Sequence, residues 1–285
     1  MGSRGGGTQG HTCPRDEAAP WPRLWCSVAA CGAACLAGCV LIRSGREALP
    51  SRHTLVRGQL VIYSDFALPA HHRLVEELAA LRGDLLSVLA LPGSDEPIHV
   101  YLFDSPERFR AFLDRTYAGL PERRAFFLQS DTRLIVLAHW GERVAEDLRH
   151  EVAHGYLHAA VPQLPLWLDE GLAEYAEVPR GRGGLHEPHL KLLLAEAAAA
   201  RWRPSLERLE QLTTMAEMTQ LDYAESWAWV HLLLHAHPQG RALLQQYLAG
   251  LRQTGTAVPL SQELRQRLPG SESALLEHLR RLAAR

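Results

Sequence analysis

The sequence predicts an α+β fold, with a small mixed β-sheet and its helices over residues 59–141 and a mostly helical half over residues 142–285. Three observations support this. The short runs of β-branched and aromatic residues that read as strands all lie before residue 140. From Glu142 onward, apolar residues recur at helical spacing instead. Ahead of both halves, residues 24–42 form an uncharged segment of membrane-targeting character. A chain of 285 residues can bury a substantial core as one or two domains.

Composition removes several function classes. The formal net charge is -2 and the sequence pI is about 6.7. No basic stretch interleaved with aromatics is present, so no nucleic-acid partner is expected. Lys191 is the single lysine, and Arg carries nearly all positive charge. That bias fits a GC-rich bacterial genome. No internal repeat is found. The five cysteines, Cys13, Cys26, Cys31, Cys35 and Cys39, all precede residue 40. The remaining chain therefore has neither disulfides nor thiolate ligands, and a metal there must be held by His and carboxylate.

Residues 1–23 show no periodicity and read as a disordered leader. Leu24–Ile42 follows, bracketed by Arg23 and Arg43. Its nineteen residues suffice to cross a bilayer as a helix. Its Ala, Gly and Cys content also suits a secretory signal. Leu36-Ala37-Gly38-Cys39 resembles a bacterial lipobox, which implies a lipid on Cys39. The expectation is thus a signal anchor or a lipoprotein signal, either of which tethers the chain to a membrane. Arginines flank both sides, so charge asymmetry does not orient the segment. The lipobox-like sequence favours the periplasmic side of a bacterial envelope. Residues 43–58 read as a polar linker.

In the α/β part, Gln59–Ser64 reads as a strand. Leu74, Leu78, Leu81, Leu85 and Val88 mark a helix that Pro92-Gly93 ends. Ile98–Phe103 is a second strand. Ser105-Pro106 supplies an N-cap and a first-turn proline for a helix to about Tyr117. Residues 125–129 and 133–139 flank Ser130-Asp131-Thr132 as a hairpin. If Arg133–His139 forms the sheet edge, it could pair with an extended substrate.

His150-Glu151-Val152-Ala153-His154 is an H-E-x-x-H sequence inside a helix expected over Glu142–Ala159. Residues four apart share a helix face, so the two imidazoles converge and suit one Zn²⁺ ion. Glu151 then lies where it can take a proton from a water at the ion. With 15 His in the chain, the pentapeptide can arise by chance, so its context decides. A catalytic zinc site needs a third ligand and one open position. His158 is about 12 Å along the helix axis from His150, too far for one ion, and reads as a packed or supporting histidine. The metzincin pattern fails, because Leu157 and Ala160 occupy its Gly and His positions. After the Val161–Pro165 turn, Leu166–Tyr175 reads as a second helix. Fifteen residues separate His154 from Glu170, enough for the chain to return and present a carboxylate. Glu170 is the better third ligand. Glu174, one turn on, is expected to hydrogen-bond a ligand imidazole, with the ligand role as its alternative.

These motifs resemble those of the gluzincin metallopeptidases, and of the peptidase MA-like proteins among them. The resemblance is carried by His150-Glu151-x-x-His154 and Trp167-Leu168-Asp169-Glu170-Gly171-Leu172-Ala173. It implies a zincin-type helical half and Glu170 as third zinc ligand. Asp169 stands where that family often has Asn. Further on, the Leu221–Val230 segment resembles the part of gluzincin aminopeptidases that holds a transition-state tyrosine, which implies an oxyanion donor role for Tyr223. The Lys-Gly that follows that tyrosine is absent here, as is the exopeptidase G-x-M-E-N motif, so aminopeptidase activity is not implied. The glycine-rich loop 179–184 could border a cleft, and His186 and His189 read as surface or rim residues.

The expectation from sequence is therefore a membrane-tethered, one-zinc peptidase domain over residues 59–285. His150, His154 and Glu170 would be the ligands, Glu151 the base and Tyr223 the oxyanion donor, acting on a peptide or protein substrate. The alternative is a non-catalytic envelope binding or assembly protein that retains a structural zinc. No oligomeric state is specified.

Overall fold

The structure is a computed structural model that describes residues 48–284. The uncharged segment Leu24–Ile42, the lipobox-like Cys39 and the leader lie outside the described residues. No helix among the described residues is long and apolar enough to cross a membrane.

The architecture is a mixed α/β fold with one five-stranded sheet and ten α-helices among the described residues. The strands are β1 (His53–Arg57), β2 (Leu60–Ser64), β3 (Ile98–Phe103), β4 (Ala125–Ser130) and β5 (Arg133–His139). Their spatial order is β1-β2-β3-β5-β4. The central pairs β2/β3 and β3/β5 are parallel, and the outer pairs β1/β2 and β5/β4 are antiparallel. Helix α1 (Arg73–Leu89) makes the crossover from β2 to β3, and α2 (Pro106–Thr116) leaves β3. Ser105 caps α2 through its side chain, which accepts from the Arg108 backbone N–H.

Two sequence expectations change here. The supposed linker 43–58 contains β1, which pairs with β2 over its whole length. Its residues are exposed except Leu55, so it carries no apolar alternation to announce it. The second concerns β5, which is not an edge strand: it lies between β3 and β4, and β4 is the edge.

Alternation along β3 separates two cores. Ile98, Val100 and Leu102 face α1 and the motif helix, whereas Tyr101 and Phe103 face the aromatic side of α2, Phe109 and Phe112. The motif helix is α3 (Val144–Ala160), which follows β5 directly. The second site helix, α4 (Leu166–Glu177), lies between α3 and α7 (Gln220–His235). Helix α5 (Glu187–Ala198) and the short α6 (Leu206–Leu209) precede α7. Helices α8 (Gly240–Thr254), α9 (Leu260–Arg267) and α10 (Ser271–Ala283) complete the helical half.

Helix α7 is the centre of that half. Every residue from Asp222 to Leu234 is buried, so no face of it meets solvent. A helix buried on all sides must satisfy its polar groups internally. Glu225, fully buried, does so by accepting from Trp202 Nε1 at 2.8 Å, Ser205 N at 2.6 Å and Arg208 Nη2 at 2.8 Å.

Gly171 sets how closely α4 meets α7. A Cβ at this position would lie 2.6 Å from the Ser226 carbonyl oxygen and 3.0 Å from Val230 Cγ2. The obstacle is mainly backbone, which a rotamer change does not relieve. Gly171→Ala is therefore expected to destabilise by about 1–3 kcal/mol, the usual result of overpacking. Gly83, inside α1, faces open space. There the Ala variant is expected to stabilise by roughly 0.5–1 kcal/mol through helix propensity. Denaturant melts of the two variants check the pair. Equal effects would refute the close-contact role of Gly171.

Candidate metal centre

The H-E-x-x-H pentapeptide lies wholly within α3, and Glu170 lies on α4. The two helices bring three donor atoms together. His150 Nε2 and His154 Nε2 are 3.3 Å apart, and Glu170 Oε2 is 3.5 Å from the first and 3.8 Å from the second. In a tetrahedral site with bonds of about 2.0–2.1 Å, donors stand about 3.3 Å apart. The triangle has that scale.

The opposite ring nitrogens explain why these atoms point inward. His154 Nδ1 is 2.8 Å from Asp169 Oδ1, and His150 Nδ1 is 3.1 Å from Glu177 Oε2. When the imidazoles are neutral, a carboxylate partner keeps the proton on each Nδ1 and leaves each Nε2 with a lone pair. Two lone pairs and a carboxylate oxygen then converge. Glu170 Oε2 is buried and makes no hydrogen bond. Such a set of acceptors, with no donor between them, fits a cation. These buried His and carboxylate groups can therefore hold a metal ion.

The supporting carboxylates differ from the sequence expectation. Glu174 does not hydrogen-bond a ligand imidazole; its Oε2 is 2.8 Å from His189 Nε2 and 3.7 Å from His186 Nε2. The imidazole partners are instead Asp169 and Glu177. Asp169 also takes His158 Nε2 at 2.9 Å, so His158 steadies the carboxylate that orients His154. Glu177 is shared between His150 and His186, whose Nε2 is 2.7 Å away. His189 is buried and His186 half-buried, so they are not surface residues. The sequence signal for Asp169 and Glu177 is their position one residue before and seven after Glu170. Nothing local announces His186 or His189.

Glu174, His186 and His189 also form a cluster of potential ligands. However, the two rings stack, with centroids 3.7 Å apart and planes 16° apart. An ion must lie near the plane of each imidazole that binds it, and nearly parallel stacked planes do not meet at bonding distance. The cluster acts as a hydrogen-bonded buttress for α4.

The donor triangle opens into a cleft of about 680 Å³. Glu151 lines it, half-buried and without a hydrogen-bond partner among the described residues. Burial raises its pKa, and the nearby His150 and His154 offset only part of that rise. Tyr223, near the start of α7, lines the same cleft. Its hydroxyl accepts from Arg123 Nη2 at 3.2 Å. Burial is the main cause raising the phenol pKa, so it remains a neutral donor at neutral pH. Arg123 is a cleft residue that sequence reading missed. The edge strand β4 reaches the centre through Phe127, whose ring stacks on His154 at 5.7 Å. No family model matches the sequence, and no curated protein matches it.

The electrostatics fix the pH behaviour. Burial would lower the His150 pKa, but the neighbouring Glu170 carboxylate and the hydrogen-bonded Glu177 outweigh it and hold it well above 6.5. For His154, burial is likewise outweighed by Asp169, and the net shift is upward. Burial would raise the Glu177 pKa, yet hydrogen bonds from His150 and His186 hold it down at about 2.

A histidine whose folded pKa exceeds its unfolded value adds stability that is complete below about pH 6.5 and fades as pH rises through the folded value. Metal binding requires neutral imidazoles, so its stabilisation runs the other way. The gain in melting temperature on adding Zn²⁺ is expected to grow as pH rises above about 6.5, with protons released on binding. Calorimetry in buffers of different ionisation enthalpy reads that release. A pH-independent gain without release would contradict it. Asp169→Asn should weaken Zn²⁺ affinity by about 10–100-fold, the usual effect of losing a carboxylate behind a ligand imidazole. Unchanged affinity in a competitive chelator titration would remove Asp169 from this role.

Proposed function

We propose that the chain is a zinc-dependent peptidase of gluzincin type that hydrolyses peptide bonds. One observation carries the reading. Three metal donors converge at the wall of an open cleft, with the unpaired Glu151 beside them. A purely structural zinc is closed by four protein ligands, whereas a catalytic one keeps an open position. The donor set is His and carboxylate alone, as in hydrolytic zinc sites.

His150, His154 and Glu170 would hold the ion, which supplies acidification of a water and polarisation of the scissile carbonyl when bound. Asp169 and Glu177 keep the two imidazoles in the tautomer that offers Nε2. Glu151 takes the proton of the attacking water and passes it to the departing amine. Tyr223 donates its hydroxyl proton in a hydrogen bond to the oxygen that becomes negative. Phe127 and the sheet wall shield His154 from bulk water. Attachment to a bacterial envelope, through Leu24–Ile42 or a lipid on Cys39, is part of the same proposal and would place the cleft on the periplasmic side.

Glu151→Gln keeps the ligand set and removes the base. It is expected to bind Zn²⁺ like the wild type and to lose about 10²–10⁴-fold in cleavage of a mixed peptide library, the usual contribution of a positioned general base. Equal cleavage by both proteins would sink the mechanism. A wild type that binds zinc and cleaves nothing would support the non-catalytic binding or assembly protein.

A further inference from the structure

Besides the metal donors, the cleft is lined by three arginines, Arg110, Arg123 and Arg124. Two are neutralised locally. Arg110 pairs with Glu122, and Arg124 holds Asp147 at 2.7 Å. Arg123 is different. Its one hydrogen bond goes to the neutral hydroxyl of Tyr223, and it has no carboxylate partner among the described residues. It lies two residues before the edge strand β4, in the turn that links α2 to the sheet.

A guanidinium is charged at every accessible pH and presents its N–H donors in a planar fork. One nitrogen of Arg123 is used on Tyr223, and the rest of the fork is available. The carboxylates whose charge it feels are Glu170 and Glu151. In the proposed mechanism both are committed, one to the ion and one to proton transfer. A permanent cation at a binding cleft, with its counter-charge committed elsewhere, is suited to an incoming anion. A carboxylate matches the fork in two parallel hydrogen bonds.

We propose that Arg123 anchors a carboxylate of the peptide substrate, and so makes the cleft selective for peptides that bear one close to the scissile bond. The substrate's being a peptide rests on the peptidase reading; the anion site itself does not. The carboxylate can come from two sources, a free C-terminus or an Asp or Glu side chain. Tyr223 then has two neighbours with separate tasks: Arg123 fixes where the substrate sits, and the phenol meets the oxygen that changes charge.

The experiment reads affinity in the zinc-loaded Glu151→Gln protein, where turnover does not interfere. The probes are two matched pairs of N-acetylated peptides: a free acid with its C-terminal amide, and a Glu-containing amide with its Gln counterpart. For at least one pair the acid is expected to bind about 10–100-fold tighter, the range for a charge-assisted bidentate contact. The pair that discriminates identifies the source of the carboxylate. Adding Arg123→Ala should bring the acid-to-neutral ratio close to one. Arg123→Lys, which keeps the charge and loses the fork, should leave an intermediate ratio, and it also serves if the Ala variant does not fold. A ratio near one for both pairs with Arg123 intact would overturn the proposal. So would a ratio that survives Arg123→Ala, because a residue that only positions Tyr223 weakens acid and neutral probes alike. Failure of the peptidase reading looks different: acid-selective binding would persist while the wild type cleaved none of the four peptides.

Discussion

The contact between α4 and α7 at Gly171 is the constraint on which the rest of the helical half depends. Helix α4 has a partner on each side. One flank must reach α3 closely enough for Glu170 to join two histidines. The other must sit against a helix that has no exposed face. A methyl group at residue 171 would run into the Ser226 carbonyl, so the spacing is set by backbone and not by adjustable side chains. The W-L-x-E-G-x-A segment thereby acquires a physical reading. Trp167, Leu168, Leu172 and Ala173 fill the core, Glu170 points to the histidines, and the glycine allows the approach. The same contact carries Tyr223, near the start of α7, to the cleft that Glu170 borders.

Behind the donor triangle lies a buried polar lattice. Burying carboxylates is costly unless each finds a partner. Asp169 is shared by His154 and His158, Glu177 by His150 and His186, and Glu174 takes His189. Opposite charges depress the Asp169 pKa strongly in spite of its burial, so it remains an acceptor over the whole working range of pH. The lattice fixes ring orientation before any ion arrives. It also ties α5, through His186 and His189, to the helix that carries Glu170. The site is thus held by three helices although its donors come from two.

Much of this was legible in the sequence, and the part that was not has a common cause. Strand β3 matched its expected span because Ile98–Phe103 is a continuous apolar run. Helix α2 began where Ser105 and Pro106 require it. The pentapeptide reads as one helix face because 3.6-residue periodicity is local. Sheet order is not local, and Arg133–His139 looks like any other apolar strand whether it is central or at an edge. Strand β1 is exposed and mostly polar, so only its pairing with β2 reveals it. The partners of the two converging imidazoles are hidden in the sequence for a similar reason. Glu174 and Glu177 are both within reach of His150 along α4, and the return of α5 decides between them by placing His189 against Glu174. Arg123 carries no motif at all, and its contact with Tyr223 arises only where the turn before β4 meets α7.

The separation of these parts along the chain has a consequence for folding. His150, His154, Asp169, Glu170 and Glu177 fall within two successive helices and the short turn between them. Arg123 and Tyr223 are 100 residues apart. By loop-closure entropy, bringing that pair together costs roughly 1–2 kcal/mol more than returning Glu170 to His154 across their short connection. The hairpin that carries the potential metal donors is therefore a unit of low contact order, and the wall of the cleft one of high contact order. Partial opening that frees the wall while sparing the hairpin would leave the potential metal donors assembled, so the donor set and the cleft wall can come apart separately.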